Sequence, residues 1–109
     1  MIAVISEIWP HADRRGDYFA LSDELRPLLQ QLDGFLSVER FESAADPGKL
    51  VSVSFWRDEQ SLKAWRDVEQ HRLIMAKGRS GILRDYRIRV TRVILEYSMN
   101  ERANAPLSE

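Results

Sequence analysis

Ser61, Trp65, Val68, His71 and Met75 follow one another at intervals of three or four residues, which on an unbroken helix puts all five on one face. His71 is the titratable member of that stripe, and imidazole takes or releases a proton near neutral pH. Trp65 offers a flat ring on which a planar molecule can stack and which keeps water out. The same stripe also describes an ordinary core, with Trp65 packed inside and His71 a hydrogen-bonded histidine near a helix end. Arg72, Arg84 and Tyr86 are the candidates for holding an oxyanion, because a developing negative charge needs a fixed cation or donor. Against that role, an arginine at a strand end ordinarily faces solvent and a tyrosine is ordinarily a wall residue. Trp9 and Trp56, at the ends of predicted strands, fit either a pocket mouth or simple packing. Glu7, Glu39, Arg40, Arg87 and Arg89 also fall on predicted strands. Where a covered face receives them they must be paired, and ion pairs between sheets at a dimer interface are the expected solution, with Glu7 or Glu39 as a catalytic base the alternative.

Other chemistries lack their residues. There is no cysteine among the 109 residues, so no disulfide, thiolate metal site or cysteine nucleophile exists, and a cytoplasmic location is expected. The two histidines, His11 and His71, form no ligand-spaced pair, so no metal is expected. Neither a glycine-rich dinucleotide turn nor a serine elbow is present. Sixteen basic and seventeen acidic residues are interspersed, which argues against a nucleic-acid or anionic-membrane surface. The opening run Met1 to Trp9 lacks a basic leader or a cleavage site, and no stretch approaches the roughly 20 apolar residues of a membrane span, so a soluble protein is expected.

The elements that must position these residues follow from periodicity. Ile2 to Ile8 is apolar enough for a central strand. Tyr18, Leu21, Leu25, Leu28, Leu29 and Leu32 mark an amphipathic helix stopped by Asp33-Gly34, with Pro27 predicting a kink or a break near Asp23. Phe35 to Glu42 alternates as a strand, with Phe35, Ser37, Glu39 and Phe41 on one face and Leu36, Val38, Arg40 and Glu42 on the other. Asp46-Pro47-Gly48 turns the chain into a second strand, Leu50 to Trp56. Asp58 caps a second helix, in one piece or two, closed by Gly78 and Gly81. Tyr86 to Tyr97 is the last strand. One domain, 1–98, is expected, followed by a polar tail, 99–109.

The order βαββαβ, folded by right-handed crossovers, is an α+β ferredoxin-like arrangement: a four-stranded antiparallel sheet with both helices on one face. The other face carries large apolar side chains, and burying it requires a second copy, so a homodimer is expected.

Four segments, Asp33-Gly-Phe-Leu-Ser-Val-Glu-Arg-Phe-Glu-Ser43, Asp46-Pro-Gly-Lys-Leu-Val-Ser-Val-Ser-Phe-Trp56, Ala64-Trp-Arg-Asp-Val-Glu-Gln-His-Arg72 and Asp85-Tyr-Arg-Ile-Arg-Val90, resemble the antibiotic biosynthesis monooxygenase family. The resemblance implies a dimeric α+β barrel with one ligand cavity per subunit between sheet and helices. It also implies a choice among cofactor-independent oxygenases of aromatic polyketides and quinols, haem-degrading enzymes, and proteins without a known reaction. Trp65 resembles the helical tryptophan that lines the cavity of the aromatic-oxidising members, while Ser61 stands where those members can carry an asparagine. Haem degradation is disfavoured: the first strand has no asparagine, and the position about ten residues after Trp65 is Met75 rather than histidine.

The resulting expectation is a cofactor-independent monooxygenase of a small planar, electron-rich aromatic. His71 acts as base, Trp65 as platform and Arg84 or Tyr86 as anion stabiliser, with Ser61, Val68, Met75, Trp56 and Trp9 lining the pocket. A non-enzymatic barrel that binds a hydrophobic ligand is the alternative, and haem binding, for which Met75 and His71 are available, is a less favoured one.

Overall fold

A computed structural model of the chain describes residues 1–101, with side chains described throughout except at 70–72 and 74–80. Strand β1 (Ile2–Pro10) and helix α1 (Arg15–Gln30), reached through a short 3-10 turn, are followed by strands β2 (Phe35–Glu42) and β3 (Leu50–Trp56). Helix α2 (Glu59–Ser80) and strand β4 (Leu83–Arg92) complete the order. The strands form one antiparallel sheet in the order β2-β3-β1-β4, which places the apolar β1 at an interior position as its composition predicts. The expected ferredoxin-like α+β fold is therefore present.

Both helices pack on the sheet face that carries Ile2 and Val4. There Leu29 of α1 and Leu62 and Trp65 of α2 close on Ile2, Val4 and Trp56, with Leu25, Leu28, Leu32, Phe35, Val38 and Val68 packed around them. Trp56 is wholly buried and gives its indole N–H to the Ser54 hydroxyl at 3.0 Å, so its one polar atom does not count against its burial. The opposite face presents Ala3, Ile5 and Glu7 beside Phe55, Val53 and Val51, and these in turn beside Ser37, Glu39 and Phe41.

Four local expectations need correction. Helix α1 is one segment through Asp23 and Pro27; Pro27 is exposed, so the leucine face keeps its contact with the sheet despite the missing donor. In β2 the register shifts between Phe35 and Ser37, so the extra residue Leu36 turns Phe35 onto the helix-covered face together with Val38, against the simple alternation. Helix α2 is continuous and is closed by Gly81 in a left-handed conformation, not by Gly78. Strand β4 begins at Leu83, because β1 extends to Pro10 and pairs with it across a bulge, and it ends at Arg92 rather than Tyr97. Just past its end, the Val93 N–H bonds the Met1 carbonyl at 3.0 Å. Of the expected tail, 102–109 lies outside the described residues. Among the described residues no helix is long and apolar enough to cross a membrane.

The corner between α1 and β2 is tied to the start of α2. Asp58 caps α2 by accepting from the Ser61 N–H at 2.8 Å and from the Ser61 hydroxyl at 2.7 Å. The Arg57 N–H bonds the Gly34 carbonyl at 2.8 Å, and its guanidinium grips Asp33 through two bonds of 3.1 and 3.0 Å. Gly34 has φ of +86°, and a Cβ there would fall 2.0 Å from the Ser61 hydroxyl oxygen. Gly34→Ala should therefore destabilise the protein by about 2 to 4 kcal/mol in chemical denaturation, from left-handed strain plus a clash with a buried neighbour. An unchanged midpoint would contradict this packing.

Candidate functional site

The interior between α2 and the sheet is built around two stacked indoles. The rings of Trp65 and Trp56 lie 6.4 Å apart at an angle of 25°, and Phe35 meets Trp56 edge-on at 5.3 Å. Trp65 is there because it shares the inward face of α2 with Ser61, Leu62 and Val68. One turn further along, the half-buried Glu69 is raised above the ordinary carboxylate range by desolvation. The charge of Arg66 and a hydrogen bond from the Trp65 side chain oppose that rise.

Tyr18 of α1 is also half-buried. Desolvation raises its phenol, the charge of Arg40 opposes the rise, and the charge of Glu69 adds to it. Arg40 stands on β2 two residues after Val38, on the helix-covered face. Its guanidinium donates to the Ser22 hydroxyl at 2.9 Å and lies 4.4 Å from the centre of the Phe19 ring. Aromatic, acid–base and cationic groups from α1, α2 and β2 thus neighbour one another on the helix side of the sheet.

The residues expected from sequence divide between this interior and other places. Trp65, Trp56, Ser61 and Val68 are brought together. Trp56 is part of the closed core instead of a pocket mouth, and the hydroxyl of Ser61 is engaged by the cap. Trp9 is on the opposite sheet face and seven residues along β1 from Ile2, about 23 Å at strand rise, so it shares no pocket with Trp56. Its indole N–H instead bonds Asp46 at 2.9 Å. Arg84 is exposed and close to Gly48, at that same end of the sheet, with its charge acting on Asp46. Tyr86 is 55% exposed on β4. The side chains of His71, Arg72 and Met75 lie outside the described residues.

Tyr18, Arg40 and Glu69 were not singled out as site residues by sequence reasoning. Tyr18 reads as one more member of an apolar stripe and Arg40 as one more strand charge. The available signal was Glu69, four residues after Trp65 and so on its helix face. A separate groove of about 590 Å³ runs between the start of α2 and the end of β4, floored by Ile2, Leu62 and Val90 and edged by Lys63, Arg66 and Arg92. Among the described residues no group of three or more histidines and carboxylates is arranged to hold a metal.

Glu7 and Arg89 are paired within the sheet. Glu7 pairs with Lys49 at 2.7 Å and with Arg89, and Lys49 lies over the Trp9 ring at 5.7 Å. The hydrogen bond from Lys49, then that from Arg89, holds the Glu7 carboxyl down to about 2. Ion pairing between sheets of two subunits is therefore not needed to accommodate Glu7.

Comparison with known proteins agrees with this geometry. The family model described as antibiotic biosynthesis monooxygenase matches residues 1–77. A protein of Pyricularia oryzae named jasmonate monooxygenase ABM is 42% identical over 101 residues, covering 93% of this chain and 47% of the fungal protein. The chain thus spans about half the length of that relative. Among solved structures, Rv0793 of Mycobacterium tuberculosis superposes with a TM-score of 0.73 at 27% identity, covering 89% of this chain and 98% of the other. SnoaB of Streptomyces nogalater, described as a cofactor-independent oxygenase and solved as a mutant, gives a TM-score of 0.69 over 87% of this chain and 94% of its own. Its 8% identity speaks for the fold alone.

Glu7 provides a pH test of the strand pairing. A carboxyl held below its ordinary value stabilises the fold fully above pH 4.5, and that contribution is lost as pH falls from 4.5 towards about 2. Glu7→Gln should flatten the decline of the thermal midpoint across this window while lowering the midpoint at pH 7. Superimposable pH profiles would contradict the pairing.

Proposed function

This chain belongs to the antibiotic biosynthesis monooxygenase family, and we propose that it oxidises a small, flat, electron-rich molecule with dioxygen in the interior beside Trp65, without metal or flavin. The observation that carries this reading is the meeting of the Trp65–Trp56 stack with half-buried Glu69, Tyr18 and Arg40. An aromatic platform next to groups of perturbed acidity suits a reaction that begins by removing a proton from the substrate. The name of the Pyricularia relative supports monooxygenation.

The chemistry balances without an external reductant for an anthrone-like substrate. A base takes a proton from an activated CH₂, and the electron pair left behind reduces dioxygen to a carbon-bound hydroperoxide. Loss of water then gives a carbonyl, so that CH₂ and O₂ become C=O and H₂O. His71, on the same helix, is the base in this reading because its ordinary pKa lies near neutrality. A hydrophobic-ligand binder would need the interior but none of the proton chemistry.

The apolar outer face, with Ile5, Val51, Val53, Phe55 and Phe41, is assigned in this proposal to a second copy of the chain, whose equivalent face would bury it.

With anthrone and quinol substrates the wild-type protein should consume about one dioxygen per molecule oxidised, measured with an oxygen electrode. His71→Ala should lower the rate about 100-fold or more, as expected for removal of a general base. Trp65→Phe should keep the fold and weaken substrate binding. Absence of uptake by the wild type across such a panel would leave the ligand-binding alternative, and undiminished uptake by His71→Ala would remove the proposed base.

A further inference from the structure

Two arginines stack on one ring and differ in how their charge is met. Arg15 lies 5.4 Å and Arg40 4.4 Å from the centre of Phe19. Arg15 is neutralised by an ion pair with Glu42. Arg40 is part-buried on the helix-covered face, and its partners among the described residues are neutral: the Ser22 hydroxyl at 2.9 Å, the Phe19 ring, and the phenol of Tyr18, with which it shares a hydrogen bond. A guanidinium withdrawn from water normally finds a carboxylate, because desolvation without an opposite charge is costly. Its planar fork retains donors that match a carboxylate or an enolate oxygen.

Arg84, the cation expected for this task, stands near Gly48 and Asp46. Ser22 and Phe19 hold the Arg40 head group from α1, a turn apart, so it is fixed in place rather than swinging in solvent. The neighbouring Glu69 acts electrostatically on Tyr18.

We propose that Arg40, with Tyr18 beside it, is the anion-binding subsite of the interior, and that the ligand is a flat hydrophobic molecule carrying an anionic oxygen, as a carboxylate or an enolate. The ring of such a ligand lies against the aromatic groups of the interior and its oxygen accepts from the Arg40 guanidinium. This rests on the reading that the interior beside Trp65 receives the substrate, and it adds the charge that substrate carries when bound.

The test is a binding experiment that does not depend on turnover. 2-Naphthoate and its neutral counterpart 2-naphthamide are titrated against the full chain, with tryptophan fluorescence and calorimetry as readouts. The wild type should prefer the anion by about 10- to 100-fold, the range of one charge-assisted hydrogen-bonding interaction. Arg40→Met should abolish that preference while leaving naphthamide affinity unchanged, which also reports that the interior is intact. Arg40→Lys should recover part of the preference, and Arg15→Met, whose residue already has an acid partner, should leave it whole.

Equal preference in wild type and Arg40→Met, or loss of the preference in Arg15→Met alone, overturns the assignment. So does a wild type that binds neither probe or does not distinguish them. If the preference follows Arg40 but no quinol or anthrone is oxidised, the subsite stands and the oxygenase reading fails. If oxidation proceeds and the preference is indifferent to Arg40, the reverse holds.

Discussion

The contact between Trp65 of α2 and Trp56 of β3 joins the two halves of the molecule. Trp56 is wholly buried at the end of a strand, flanked by Phe35 across the sheet and by Ile2 on the neighbouring strand. Trp65 brings α2 down onto it, and everything α2 presents inward is set by that seating. Replacing either indole by alanine removes a large shared surface, a change that in cores costs about 3 to 5 kcal/mol. The residue proposed as substrate platform is thus also structural, and this dual use keeps its position fixed but limits how far it can move to admit a ligand.

The start of α2 is held to match. Asp58, Ser61, Arg57, Asp33 and Gly34 form one cap and corner, in which a glycine at positive φ makes room for a buried serine. Ser61 has its hydroxyl engaged in that corner. Trp65 and Glu69 follow it along the same helix face, so a rigid first turn aims the residues that come after. Precise placement of this kind is what a reaction controlled by proton transfer and orientation demands.

The element order was legible in the sequence because each element had an unambiguous period or stop signal: the apolar run of β1, the leucine stripe of α1, Asp46-Pro47-Gly48 and Asp58. What was not legible depended on pairing between distant segments. The bulge at Leu36 moves Phe35 to the other face, and β4 starts early because Pro10 of β1 pairs with Leu83 across a bulge. The candidate site was read in part. Trp65 and Val68 came from helical spacing, whereas Tyr18, Arg40 and Glu69 gain their meaning only when α1, β2 and α2 are laid together. Trp9 and Arg84 were drawn toward the site by residue type alone, and the strand register carries both to the opposite end of the sheet.

In the mechanism proposed above, the flat substrate is received beside Trp65 on the helix-covered side of the sheet. A crystal structure of the chain with bound anthraquinone-2-carboxylate, a stable oxidised analogue, is the decisive check of that placement. Ring density should lie against Trp65, with the carboxylate within hydrogen-bond reach of Arg40. Density confined to the groove edged by Lys63 and Arg92, or lying against Phe55 and Phe41 on the outer face, would be incompatible with it.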